Sequence, residues 1–297
     1  MKEPLVSVIT ITRNRGKLIG RCINSVLGQT YQNIEHIVVD GASDDETDDV
    51  IKSIKDTRLR YIKLESNWSI VDTINHGFDN SKGEYITFLD SDDEYLPNKV
   101  EEQVNLIQTL PIEYGMVYCW MSYFDMASNK HLYDHATKLR GDVFKYAVSK
   151  PLISGTPTFM FRRDVFKKLG GWKDVGLVND WELGARCCKF WKVDYVPKSL
   201  VKVYINHGSK RMSDTDSTIA TYKRYVKFHE YFLSEYRSIF MEFPKLAERH
   251  NYSLSLMLMS MGNWKDGFYY YKNLLRNTPK FKYLLLPLFC LIKPVKK

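Results

Sequence analysis

The sequence predicts an α/β fold, a mostly parallel sheet with helices on both faces, followed by a small helical region. Three observations carry this: short β-branched runs alternate with helical periodicity in the first half, polar residues follow each run, and from about residue 215 the pattern turns wholly helical. At 297 residues, 44% of them apolar, the chain has ample length to bury a core, which excludes a disordered or fibrous protein.

Residues 5–11 (LVSVITI) are β-branched and apolar, as in a strand buried on both faces. From 16 to 29 the residues Leu18, Ile19, Cys22, Ile23, Val26 and Leu27 recur at helical spacing, and residues 35–40 (EHIVVD) form a second strand ending in a carboxylate. A helix after Asp45, a strand near 59–64, a helix near 70–80 and the strand 84–89 (EYITFL) continue the alternation. Beyond Pro97 come a helix to about residue 110, an aromatic-rich strand at 116–123 and a mixed region to about 213, with an apolar strand at 200–205. Such alternation implies right-handed crossovers and ligands at the carboxyl ends of the strands.

That geometry singles out Thr12-Arg13-Asn14, Asp40-Gly41-Ala42-Ser43 and Asp90-Ser91-Asp92-Asp93, which stand just past three strand ends. Acids gathered at one edge repel unless something positive joins them, and a divalent cation is the simplest answer. Asp90-x-Asp92 lets one or both side chains face a hard cation such as Mg²⁺ or Mn²⁺, normally shared with substrate phosphates, so the site anticipates a diphosphate. The competing reading makes acids helix caps and turn formers, and it is retained for Asp45, Glu46, Asp48 and Asp49.

The segments VSVITITRNR, SVLGQTYQNIEHIVVDGASDDET, NHGFDNSKGEYITFLDSDDEYLPNK and RRDVFKKLGGW, followed by NDWEL, stand in the order and spacing of the family 2 glycosyltransferases. The chain resembles that family over about residues 4–215, and several successive matches are far more specific than one motif. The resemblance implies the GT-A fold and an inverting, metal-dependent enzyme that uses a nucleotide sugar, with a UDP-sugar the leading donor. IVDTINHG at 70–77 is similar to the IYDAxNKG segment of bacterial polysaccharide transferases, which points to a glycan or lipid-linked acceptor at the cell surface.

Position by position, the resemblance implies donor contacts from Thr12 and Arg13, from Asp40 as acceptor of a nucleobase N–H, and from Asp72 and Asn75 at the nucleotide's border. Ile11 stands where relatives have proline. Asp90, Ser91 and Asp92 match the metal motif, Asp92 being the residue expected to touch Mn²⁺ or Mg²⁺ directly. Asp180 matches the general base, with Asn179 where relatives often carry glutamate; the alternative makes Asp180 the N-cap of a helix starting at Trp181. His207 and Arg211 match a segment that closes over the diphosphate. Thr156, on a turn at 154–158, and Trp172, after Gly170-Gly171, are acceptor-side candidates, with core packing an equal alternative for Trp172. The processive-synthase signature Gln-x-x-Arg-Trp is absent, so one sugar per encounter is expected. On these matches residues 1–97 are the nucleotide-sugar half and 98–215 the acceptor half of a catalytic domain.

Charge separates the modules. The net charge is +8, yet residues 1–215 hold 29 basic and 29 acidic side chains while residues 216–297 hold 14 and 6. Residues 254–280 read as two short amphipathic helices broken at Gly262-Asn263, similar to one tetratricopeptide-type hairpin, which must pack on something larger. Residues 283–292 (YLLLPLFCLI), followed by Lys293, Lys296 and Lys297, are too short to span a bilayer but suit an anionic membrane surface; the alternative packs them into the tail's own core. Nucleic acid ranks low as a partner, since the aromatics follow helical spacing, and a homo-oligomer stays open. No run of eighteen apolar residues and no signal-peptide core occurs, and five cysteines without metal-ligand spacing suit buried thiols in a reducing cytosol. Two other functions compete: a non-catalytic nucleotide-sugar or glycan binder on the same fold, and a nucleotidyltransferase, for which residues 12–16 make a poor phosphate loop.

Overall fold

The computed structural model describes residues 3–152, 155–206 and 218–292. The chain divides into two compact units: Met1–Val143 with Ile153–Trp172 and Arg186–Gly208, and Phe144–Leu152 with Lys173–Ala185 and Ser209–Lys297. The expected cut near residue 215 lies outside the described residues, and the second unit also takes in two earlier stretches of chain, one of them carrying Asp180.

In chain order come β1 (Val6–Thr12), α1 (Gly16–Leu27), β2 (Ile34–Asp40), α2 (Thr47–Ser53), β3 (Leu59–Lys63), α3 (Ile70–Asp79), β4 (Tyr85–Phe88), β5 (Glu94–Tyr95) and α4 (Lys99–Thr109). Then follow β6 (Tyr114–Asp125), β7 (Lys130–His135), α5 (Phe144–Ser149), β8 (Phe159–Arg162), α6 (Arg163–Leu169), α7 (Asn179–Cys188) and β9 (Lys192–Ile205). The remaining helices are α8 (Ile219–Glu235), α9 (Arg237–Glu242), α10 (Glu248–Ser260), α11 (Trp264–Asn277) and α12 (Leu286–Ile292).

The first unit is built on a nine-stranded sheet in the order β3-β2-β1-β4-β8-β6-β9-β5, with β7 paired to β6. β3, β2, β1 and β4 run parallel, as their alternation with helices predicts. Beyond β4 the sheet is mixed: β8 is antiparallel to both β4 and β6, and β5 is antiparallel to β9. Only residues 126–129 join β6 to β7, too few for a crossover, so that pair is antiparallel as well. β9 is longer than the apolar run at 200–205 suggests, because Pro197 interrupts the pattern; the register shift opposite Cys119 and Trp120 accommodates it.

The core of this unit lies against β1 and β2, whose Val6, Val8, Ile9, Ile37, Val38 and Val39 are fully buried. Leu18, Ile19, Cys22, Ile23 and Val26 form the buried face of α1. Helix α3 lies so close to β1 that a Cβ on Gly77 would stand 2.6 Å from Ile9 Cγ2, which only glycine avoids. In the second unit Trp181, Phe228, Phe232 and His250 pack ring against ring. The α10–α11 hairpin turns at Gly262, with φ +87°, and Asn263 caps α11, as the sequence anticipates. All five cysteines are buried and unbridged, and among the described residues no helix is long and apolar enough to cross a membrane.

Candidate active site

The parallel strands bring three of the singled-out segments to one edge of the first unit. Thr12 and Asp40 are directly paired at the ends of β1 and β2, and Ile9 pairs with Phe88 so that β4 delivers Asp90 beside them. The β1–α1 and β2–α2 turns are tied together: the Asn14 and Arg15 N–H groups donate to Ser43 Oγ (2.9 Å) and Thr47 Oγ1 (2.8 Å), and the Asp44 N–H to Asn14 Oδ1 (3.1 Å). Asp45 accepts from the Gly16 and Thr47 N–H groups, joining the starts of α1 and α2, so its capping role holds. Its carboxyl is lowered from the usual range even though burial works the other way, because the Thr47 and Gly16 hydrogen bonds favour the anion.

Asp40 is 0% exposed. Its Oδ1 accepts from both the N–H (2.9 Å) and hydroxyl (2.5 Å) of Ser43, and its Oδ2 accepts from the Tyr61 hydroxyl (2.8 Å). Burial and this bond to Asp40 push the Tyr61 phenol upward, so the phenol stays a donor. Thr12 is also buried, and its Oγ1 has no hydrogen-bond partner among the described residues. Arg13, next in the chain, is exposed.

Asp90 to Asp93 form a tight turn closed by the Asp93 N–H on the Asp90 carbonyl (3.0 Å). Arg21 of α1 braces it, donating to the Asp92 carbonyl (2.7 Å) and pairing with Glu94 (2.7 Å), while buried Asp93 accepts from the Tyr204 N–H. Asp90 and Asp92 are half-buried and Ser91 is buried. Two carboxylates on a braced turn are the hard oxygen donor set that Mg²⁺ or Mn²⁺ takes together with phosphates and water, so the residues present fit such an ion. No group of three metal-ligating side chains occurs among the described residues.

Helix α3 holds the next two candidates, in a shallow cleft of about 540 Å³ lined by Trp68, Asp72, Asn75, His76 and Asp79. Asp72 and the N-cap Ser69 bond reciprocally: Ser69 Oγ accepts from the Asp72 N–H (3.1 Å) and donates to Asp72 Oδ2 (2.7 Å). The Asn75 amide mimics a peptide, donating to the Trp172 carbonyl (3.0 Å) and accepting from the Trp172 N–H (2.9 Å). Gly171, with φ +71°, makes room: a Cβ there would lie 2.6 Å from Asn75 Oδ1. Trp172 itself is 5% exposed and edge-on to Phe88. It packs in the core, which corrects the expectation that its face stacks on a sugar.

Thr156 is half-buried at the start of a 3₁₀ turn, Thr156–Thr158. In the second unit, α7 begins at Asn179, two residues earlier than the cap reading expects. Asp180 therefore sits in the first turn, half-buried, its Oδ1 accepting from the Trp181 N–H (2.9 Å). The Tyr225 phenol is pushed up by burial first and then by the Asp180 charge, which places that carboxylate beside it. Glu182 is fully buried and accepts from Tyr231. His207 and Arg211 lie outside the described residues. The sequence singles out Ser43 in the turn after β2, and its spacing from Asp40 suits the bond found there, whereas Tyr61 and Arg21 were missed, since they reach their partners across 21 and 71 residues without a local signal.

The first unit is thus an α/β sheet whose parallel strands end in a buried acid, a buried hydroxyl and a braced acid pair, at the edge where sheets of this class take ligands. Residues 7–170 match Glycosyl transferase family 2, and the chain belongs to that family. It is 31% identical over 205 residues to an uncharacterized glycosyltransferase of Rickettsia typhi, an alignment covering 67% of this chain and 64% of that one. The chain thus spans just under two thirds of that relative's length. It is also 39% identical over 105 residues, 35% of this chain and 42% of the other, to an Escherichia coli UDP-Glc:α-D-GlcNAc-diphosphoundecaprenol β-1,3-glucosyltransferase. The GT-A fold is shared with residues 1–349 of S. aureus TarS, whose crystal structure contains UDP-GlcNAc: TM-score 0.62 at 16% identity, covering 98% of this chain and 81% of that one.

Proposed function

We propose that the chain transfers a sugar from a nucleotide sugar, with a uridine diphosphate carrier preferred, to a hydroxyl of a lipid-linked glycan in surface-polysaccharide synthesis. Transfer is a single displacement that inverts the anomeric carbon, in the cytoplasm. The observation that carries this reading is the braced pair Asp90 and Asp92 at the end of β4, beside the Thr12 hydroxyl and the Asp40 turn. The name of the E. coli relative, which specifies both UDP-glucose and a diphosphoundecaprenol acceptor, supports the carrier and the acceptor class.

In this reading the Thr12 hydroxyl donates to the donor nucleotide, Arg13 contacts base or phosphate, and the second lone pair of Asp40 Oδ2 takes a uracil N3–H. Asp72 and Asn75 border the nucleotide from α3. Asp90 and Asp92, with Ser91 between them, would hold Mn²⁺ or Mg²⁺, which would supply positive charge to offset that of a departing diphosphate. Asp180 takes the acceptor's proton, Thr156 belongs to the acceptor side, and His207 and Arg211 close on the diphosphate. Direct attack by the acceptor needs no covalent nucleophile on the protein.

A thermal-shift panel of nucleotide sugars with and without Mn²⁺ tests this, followed by turnover of the best donor with a diphosphoundecaprenol-linked sugar. UDP-sugars should stabilise the protein only with metal, by about 2.7 kcal/mol at a hundredfold excess over Kd, and Asp92→Asn should abolish the metal-dependent response. Metal-dependent binding without turnover would make the chain a binder. Absence of any response to nucleotide sugars would reject the reading.

A further inference from the structure

The segment formed by the 3₁₀ turn Phe281–Tyr283 and α12 has apolar side chains on two sides, one packed and one exposed. Tyr283, Leu286 and Cys290 turn inward and are 5%, 5% and 2% exposed, packed with Met259 and Leu274. Phe281, Leu284, Leu285 and Leu288 point the other way and are 83%, 54%, 61% and 53% exposed. The expectation that this segment packs into the tail's own core therefore holds for one side, while the other side faces outward. Four large apolar side chains on one short stretch are more than scattered surface hydrophobes.

Charge says what covers them. Asp266 is the last acid in the sequence; the residues after it carry Lys272, Arg276, Lys280, Lys282, Lys293, Lys296 and Lys297 against no carboxylate. Lys282 flanks the apolar face and is exposed, as is Lys280, whose ammonium pairs with Glu248 (2.5 Å). A second copy of this chain would bring the same basic patch against itself, which like-charge repulsion disfavours. A nucleic acid would use the lysines and leave the leucines in water. We propose that the face formed by Phe281, Leu284, Leu285 and Leu288 docks on an anionic phospholipid surface, the side chains entering the acyl boundary and the lysines meeting the headgroups. Seven residues of α12 cannot span a bilayer, so the segment lies in its plane. This contact is independent of the transfer reaction, and each can fail without the other.

The test is flotation of the full chain with vesicles of phosphatidylcholine alone and of equal parts phosphatidylcholine and phosphatidylglycerol. The protein should float with the mixed vesicles and stay behind with the neutral ones. Leu285→Asp/Leu288→Asp should weaken binding by at least about tenfold, since it removes buried apolar groups and adds like charge. Lys282→Glu should weaken it by about fivefold or more, and salt should weaken it too. Melting temperatures guard against misfolding, and Phe281→Ser, at an 83% exposed position, serves if the aspartates unfold the tail. Equal flotation with neutral vesicles, binding indifferent to the leucines, or a wild-type dimer that Leu285→Asp/Leu288→Asp turns into a monomer with no flotation by either would overturn the proposal.

Discussion

Asp40 and Asp180, the two acids to which the proposed reaction assigns recognition and proton transfer, are held in opposite ways. Asp40 is fully buried, and Ser43 and Tyr61 give it three hydrogen bonds across the turns of the first unit. Asp180 is half-buried on the first turn of α7, oriented by the adjacent Trp181 N–H. The difference separates scaffold from reagent: a fully buried carboxylate with three acceptor sites committed to the turns around it fixes geometry, while a half-buried one at a helix start is open to an acceptor hydroxyl. Removing the first should cost stability, and removing the second should cost rate.

The largest effect belongs to Asp180→Asn. The amide keeps the shape and an oxygen for the Trp181 N–H, so folding and donor affinity should survive. Turnover should fall by ~10²–10⁴-fold, because an amide cannot accept the acceptor's proton. Product chromatography beside donor calorimetry on one preparation checks this. Unchanged turnover would move the base elsewhere, and Glu182, fully buried, would be a poor replacement. A collapsed melting temperature would erase the contrast with Asp40.

Asp40→Ala should give the reverse pattern. It strands the buried Ser43 donors and removes the partner of the half-buried Tyr61 hydroxyl, a loss of about 3 kcal/mol of unfolding free energy in urea titration. Donor binding should weaken while the metal response persists, since Asp90 and Asp92 are untouched. A variant as stable as the wild type would show that the Asp40 network is not the scaffold of this edge.

Why one acid's setting could be read from the sequence and the other's could not follows from how each is built. Asp40, Asp90 and Asp92 stand just past β-branched runs that alternate with helices, and that alternation implies parallel strands whose ends share one edge, as β2 and β4 do on either side of β1. The antiparallel insertion of β8 and the course of β9 through Pro197 depend on pairings far apart in sequence and left no local period. Asp180's surroundings come from residues 144–152, 173–185 and the C-terminal helices, and the fine geometry of the α7 start is a matter of packing that no pattern encodes. Trp172 was ambiguous for the same reason: an aromatic after two glycines reads as a platform until Asn75, 97 residues away, is seen to pin its backbone in the core.

A smaller effect probes the packing behind Asp180. His250 lies ring to ring with Trp181, its Nε2 donating to the Val148 carbonyl (2.8 Å). A carbonyl only accepts, so Nε2 carries the proton and Nδ1 accepts from His229 Nδ1–H (2.9 Å). Burial lowers His250 to about 4, with the nearby Arg249 charge adding to it, and His229 is lowered by burial, His250 and Arg249. Both folded values lie below the ordinary 6.5, so the stability of the neutral pair is complete above about pH 6.5 and is lost as pH falls toward 4. Melting temperature should decline across that window, and His229→Gln/His250→Gln should flatten the decline. An unaltered acid limb in the double variant would assign it to carboxylates instead.

The smallest expected effect is the sharpest test of what Asp40 does. Tyr61→Phe removes one neutral donor from Asp40 Oδ2 and leaves both Ser43 bonds in place, so it should cost only about 1 kcal/mol of stability. Oδ2 has two lone pairs, and a phenol and a uracil N3–H can occupy one each. If both bind at once, the variant's affinity for UDP should stay within about twofold of the wild type, an amount below 0.5 kcal/mol. If instead the base must displace the phenol, removing the phenol should tighten UDP binding severalfold while stability still falls. Calorimetry with UDP and Mn²⁺ on the two proteins reads the difference directly. Tighter binding would make Asp40 a ligand group that Tyr61 keeps covered, and the division between scaffold and reagent would then run through Asp40 itself.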